Sequence, residues 1–275
     1  MKIQTTETIH AGPVRVLVYG QQGAGKTSLA KTLKGTTLIA SIESGLLSLK
    51  GSKIDFVDLT KDDNGVPFPN ATAKFNAIVA FLRNPEIQKY DNIVLDSLSQ
   101  FGNIMKEHVE ATEQAAIEKN KFHLWSKIAL ITTSLINYVN DNMKPNFVFL
   151  ATEDSKEDDD KRIFYMPEYP GSASMAAIMG LNDEIYRLTV DNAGKRWLCT
   201  QPGARFKAKS RGSSDGNIQP IEPADLGSIF ERIKTIKPTN KTEEKPNEQK
   251  ATGPGTNINQ VNRTNTGAPG PGATP

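Results

Sequence analysis

Cysteine is almost missing from this chain: Cys199 is the only one in 275 residues. A single thiol excludes a disulfide framework within the chain and a multi-cysteine zinc site, and it fits a reducing cytosol. Long apolar runs are missing as well. No stretch approaches the roughly 18 residues that a membrane span needs, so no membrane partner is expected. Met1 to Glu7 lacks the apolar core of a signal peptide, and the expected location is cytoplasmic. Neither sign of charge is in excess, with 33 Lys and Arg against 31 Asp and Glu and a net charge of +2. No global field announces a polyanionic partner, so any nucleic-acid contact must come from local patches. His10, His108 and His123 share no metal-ligand spacing and are expected at the surface or at caps.

Apolar residues make up 37% of the chain, which is low for a fully folded protein, and the shortfall lies at the C-terminus. From Lys237 to Pro275, Pro, Gly, Asn, Thr, Lys and Glu dominate. Such a segment cannot bury enough surface to offset its ordering entropy and is expected to be a disordered tail. It carries no aromatic anchor or charge block, which favours a solubilising tail over a docking one.

What is present is a phosphate-binding loop. Gly20-Gln21-Gln22-Gly23-Ala24-Gly25-Lys26-Thr27 matches G-x-x-x-x-G-K-[ST] in full. A β-type run, Arg15 to Tyr19, leads into it, and Ser28 to Leu33 reads as the helix that leaves it. Glycines let the backbone wrap so that several N–H groups face one anion, and a helix N-terminus adds partial positive charge. Lys26 would reach the β and γ phosphates, and the Thr27 hydroxyl would hold Mg²⁺.

Strands and helices alternate up to about residue 236. Thr36–Ile42, Ile54–Val57, Asn92–Asp96 and Asn146–Ala151 are β-type runs. Asn70 caps an expected helix through Leu82, a long helix is expected over Leu124–Met143, and a short one opens at Pro223-Ala224-Asp225. Glu184–Val190 and Arg196–Thr200 read as antiparallel strands around an Asp191-Asn192-Ala193-Gly194 turn. The fold class is α/β: a mainly parallel sheet with helices on both faces and a C-terminal antiparallel addition. The expected organisation is an N-terminal arm over residues 1–12, one domain over 13–236 and the tail over 237–275.

A nucleotide hydrolase also needs an acid at the end of a buried strand to position Mg²⁺. Asp96 ends Ile93-Val94-Leu95 in that way; the competing role is a cap on the next helix, which Ser97 suits equally. Glu43, at the end of the strand after the loop, would polarise the attacking water, or is an ordinary strand-end carboxylate. Thr152 follows the next buried strand, as a sensor of the γ-phosphate or a plain loop start. Ser97-Leu98-Ser99 after Asp96 offers no glycine for a guanine-nucleotide switch, and Asn120-Lys121 is not followed by an acid. Adenine is the expected base.

The chain resembles the RecA-core ATPases, and within them the phage-encoded nucleotide-binding proteins of the Sak-four group of single-strand annealing recombinases. The resembling residues are Tyr19 to Ser28, Ile42-Glu43-Ser44-Gly45, and Tyr90 to Ser99. Pro167-Glu168-Tyr169-Pro170-Gly171 and Lys207-Ala208-Lys209-Ser210-Arg211 follow in the same order. The resemblance covers roughly residues 13 to 233. It implies a RecA-like P-loop core, ATP and Mg²⁺ as cofactors, Glu43 as catalytic glutamate and Asp96 as the metal-binding acid. It also implies that Lys207 and Lys209 reach a neighbouring subunit's ATP. The chain departs from the group at Thr152, where His or Gln is common. It departs again after Glu153, where an acidic segment stands at an expected DNA-binding loop and would repel phosphate. Lys161, Arg162, Phe164 and Tyr165, beyond the acids, are the candidates for backbone contact and base stacking, or else the edge of a β-hairpin. Arg211, with Arg205, is a further DNA candidate.

The expected function is therefore ATP-dependent binding of single-stranded DNA in phage recombination or annealing, in the host cytoplasm. The expected partners are single-stranded DNA, further copies of the chain as an oligomer or filament, and a single-strand DNA-binding protein. The alternatives are a replication or packaging accessory acting on a protein, as helicase loaders do, and a nucleotide-sensing switch.

Overall fold

The computed structural model describes residues 12–43, 45–157, 161–213 and 216–235. The expected arm, apart from Gly12, and the expected tail lie outside the described residues. The elements are β1 (Arg15–Gly20), β2 (Thr37–Ser41), β3 (Asp55–Asp58), α1 (Ala71–Arg83), β4 (Asn92–Asp96), α2 (Leu98–Thr112), α3 (Gln114–Lys119) and α4 (Phe122–Asn142). They continue with β5 (Asn146–Glu157), β6 (Ile163–Pro167), α5 (Ser172–Leu181), β7 (Glu184–Val190), β8 (Arg196–Cys199), β9 (Lys209–Ser210), β10 (Ile221–Pro223) and α6 (Leu226–Lys234).

The sheet runs β10-β8-β7-β1-β5-β4-β2-β3. From β7 to β3 every neighbouring pair is parallel. β8 and the short β9 then pair antiparallel with β7, and β10 pairs antiparallel with β8. Side-chain alternation explains how both faces are filled. Leu17, Tyr19, Leu95 and Phe149 point to one face, which α1, α2, α4 and α5 cover through Ile78, Phe101, Ile128 and Ile178. Val16, Val18, Val94 and Val148 point to the other, packed by Leu29 and Ala30 after the loop and by Leu226, Ile229 and Phe230 of α6. The α/β class, the parallel centre and the antiparallel addition are those that the sequence implies.

Capping signals hold at the residues where they were read. Asn70 accepts from Ala73 N at 2.9 Å to start α1, and Asp225 accepts from Ser228 N at 3.0 Å to start α6. Three differences matter. The segment after the loop, Thr27–Thr32, is a 3₁₀ helix rather than the α-helix expected over Ser28–Leu33. Its last residues are clamped by α6: Thr32 Oγ1 accepts from Leu226 N at 3.0 Å, and a Cβ on Gly227 would stand 2.1 Å from Thr32 O. So short a helix supplies little dipole, and the anion cradle falls to the loop amides and Lys26. β5 continues past Ala151 to Glu157, because β6 pairs with it antiparallel from Glu153 to Glu157. The helix after Asp96, raised in the sequence reading only through its cap, is α2 over Leu98–Thr112.

Candidate nucleotide site

Two loop glycines occupy backbone angles that side chains avoid, Gly23 at φ +79° and Gly25 at φ +94°. Gly20 is needed for another reason: a Cβ there would lie 2.7 Å from Leu188 O on β7. The loop wraps around the Lys26 ammonium, which donates to Gly20 O at 2.9 Å and Gln21 O at 3.0 Å. Burial lowers the Lys26 pKa, and the carboxylates of Asp96 and Glu43 oppose that fall.

The parallel sheet brings the remaining groups to this point. Strand β5 lies between β1 and β4, with Thr152 in register with Gly20. Asp96 ends β4, and its Oδ2 accepts from Thr27 Oγ1 at 2.6 Å. Ser97, not Asp96, caps α2, its Oγ accepting from Gln100 N at 3.2 Å. The capping alternative for Asp96 is thereby removed. Its carboxylate is 7% exposed, and burial raises its pKa against the lowering effect of the Thr27 hydrogen bond. A buried carboxylate with one hydroxyl partner lacks compensation, and a cation would supply it. The donor set, a carboxylate and a hydroxyl beside a phosphate cradle, suits Mg²⁺. Among the described residues no group of three or more His, Cys, Asp or Glu could hold a metal by itself.

Glu43 arrives through the end of β2. Ile42 N donates to Asp96 O at 2.7 Å, and Ser41 Oγ donates to Glu43 O at 2.7 Å. Thr152 is fixed from α2, its N–H donating to Ser99 Oγ at 2.9 Å. Lys26, Thr27, Glu43, Asp96, Thr152 and Arg196 line one cleft of about 390 Å³, together with Gln22, Gly23, Gly25 and Ser28 of the loop segment. Arg196 was not foreseen. It opens β8, and nothing in the sequence says that β8 starts over the loop.

A family model described as AAA domain matches residues 12–212. The chain belongs to the AAA-domain family. It is thus a P-loop ATPase of the AAA type, with the loop, strand order and acid in place. No curated protein matches it. Among solved structures it is similar to the flagellar accessory protein FlaH from Methanocaldococcus jannaschii, at 10% identity over 68% of this chain and 77% of that one, with a TM-score of 0.31. No helix among this AAA domain's described residues is long and apolar enough to cross a membrane.

The remaining candidates separate. Tyr165 and Phe164 are neighbours on β6 and so point to opposite faces. The Tyr165 ring lies over the Arg187 guanidinium at 4.1 Å, with Phe206 at 5.3 Å. Arg187 in turn donates to both oxygens of Glu153, at 2.6 and 3.1 Å. The acid after Thr152 is thus neutralised within the chain. Lys161 is exposed, and Arg162 stands just before β6; Asp158–Asp160 lie outside the described residues. Lys207 is exposed and its carbonyl accepts from Tyr19 Oη at 2.5 Å. Lys209 is not free in the same way. Its ammonium donates to Met179 O at 2.9 Å and Gly180 O at 3.2 Å, at the C-terminal turn of α5. Arg211 pairs with Asp183. Lys207 and Lys209, which the resemblance sets against a neighbour's ATP, thus differ: Lys207 is exposed, and α5 carbonyls hold the Lys209 ammonium.

Proposed function

We propose that this AAA-type ATPase acts on single-stranded DNA in phage recombination or annealing, with ATP hydrolysis coupled to assembly of several copies. The observation that carries the reading is the continuity of β5. Its inner half borders the loop strand and ends the cleft at Thr152, and its outer half forms one arm of the β5–β6 hairpin. Glu157 lies five residues beyond Thr152, on the order of 17 Å of strand. Lys161, Arg162 and Phe164 on the far part of that hairpin would meet the DNA backbone and bases. Tyr165 would instead fix the hairpin to Arg187. Arg205, whose carbonyl accepts from Tyr165 N, stands beside this hairpin, whereas Arg211 pairs with Asp183 at the other end of β7 and is not part of this surface.

In the cleft, the amides of Gly23 to Thr27 and the Lys26 ammonium would hold the phosphates of ATP. Thr27 and Asp96 would hold Mg²⁺, which neutralises charge on the phosphate oxygens. Glu43 would take the proton of the attacking water, and Thr152 would touch the γ-phosphate. Lys207, exposed and anchored through its backbone to the loop strand, would reach the ATP of a neighbouring copy. The test is turnover measured with and without single-stranded DNA. Stimulation by DNA is expected; equal rates would favour an accessory ATPase whose partner is a protein.

A further inference from the structure

We propose that Arg196 is a phosphate ligand supplied in cis: a second fixed cation, beside Lys26, for a polyphosphate held in the loop. The proposal rests on the nucleotide reading of the cleft. Arg196 stands at the start of β8, opposite Val190 of β7, and its side chain crosses to the loop. Its Nε donates to Ala24 O at 2.9 Å. The guanidinium lies against Gly25, where a Cβ would stand 2.4 Å from Nε, 2.9 Å from Cζ and 3.0 Å from Nη2. Glycine at that position therefore serves Arg196 as well as the loop's own curvature.

Arg187, Arg211 and Arg232 each hold a carboxylate, Glu153, Asp183 and Glu222. Among the described residues no carboxylate pairs with Arg196. A guanidinium carries five N–H donors, and the contact to Ala24 uses one. Arg196 lines the cleft, whose loop amides and lysine already suit an anion. Planar guanidinium groups match phosphate oxygens in pairs. The two roles are compatible, since Nε can keep the loop carbonyl while the amino groups take the anion.

The test is calorimetric binding of magnesium tripolyphosphate and magnesium ATP to the full chain. The proteins are wild type, Lys26→Ala, Arg196→Ala and Arg196→Gln, with melting temperature as the fold control. Arg196 is exposed, so its variants are expected to melt as wild type does. Loss of a charge-assisted contact is expected to weaken both ligands by a similar factor, about 10- to 100-fold. Glutamine retains an amide donor for Ala24 O but no charge, and it is expected to bind as poorly as alanine. Wild-type affinity in Arg196→Gln would reduce Arg196 to a latch on the loop and overturn the proposal. A loss confined to ATP, with tripolyphosphate unchanged, would also overturn it, by placing Arg196 against the nucleoside. Weak binding by Lys26→Ala with normal binding by Arg196→Ala would reject Arg196 and leave the cleft assignment standing. Normal binding by both variants would reject the cleft assignment itself.

Discussion

The Thr27–Asp96 contact joins residues 69 positions apart in one 2.6 Å hydrogen bond at the lining of the cleft. Lys26→Ala removes the one ammonium inside the loop. It is expected to abolish ATP binding while the melting temperature holds, measured by titration and by thermal scan. Glu43→Gln is expected to bind ATP normally and turn it over about 10²- to 10⁴-fold more slowly, as loss of a general base does. Turnover near wild type would move the base elsewhere. Asp96→Asn is expected to lose the dependence of nucleotide affinity on Mg²⁺ rather than the chemical step alone. Burial raises the Asp96 pKa, and a cation beside the carboxylate would offset that cost.

At the scale of elements, an ion pair between Arg187 of β7 and Glu153 of β5 ties the base of the hairpin to the sheet. The Glu153 side chain is 4% exposed and that of Arg187 15%. Arg187→Ala would leave a buried carboxylate unpaired and is expected to cost about 3–5 kcal/mol in chemical denaturation. Replacing both partners, Arg187→Met with Glu153→Leu, is expected to recover most of that loss. A smaller tie joins β4 to β2. Asp91 Oδ2 accepts from Thr36 N at 2.7 Å and from Thr36 Oγ1 at 2.9 Å, and these hydrogen bonds hold its carboxyl below the usual carboxylate range. A depressed carboxyl contributes stability above its unfolded pKa and loses it as pH falls through the folded value. Asp91→Ala is therefore expected to melt below wild type at pH 7, with the gap closing as pH drops below the ordinary value of 3.8.

For the whole molecule, the order β1-β5-β4-β2 sets the site. Four strands run parallel and end on one edge, so Gly20, Thr152, Asp96 and the residue after Ile42 meet there although 132 positions separate the first two. In open sheets of this kind ligands bind at the carboxyl ends of the strands. The composition of residues 238–275 argues that they add nothing to this core. Removing them is expected to leave melting temperature and basal turnover unchanged. A large fall in melting temperature would show that the segment packs on the domain.

Local signals were enough for the loop, the buried strands, the caps at Asn70 and Asp225, and the acids at strand ends. Each depends on residues close in sequence: glycines that permit positive φ, alternation that fills two faces, and side-chain oxygens within reach of nearby amides. Strand order, pairing partners and side-chain destinations are set by contacts between distant segments, and these decided the rest. Ser97 rather than Asp96 became the cap because Thr27 claims the Asp96 carboxylate. β5 outran its apolar stretch because β6 pairs with it and Arg187 neutralises Glu153. Lys209 turned to α5 while Lys207 stayed exposed. Arg196 reached the loop only because β8 follows β7 back across the end of the sheet, a path that no spacing in the sequence encodes.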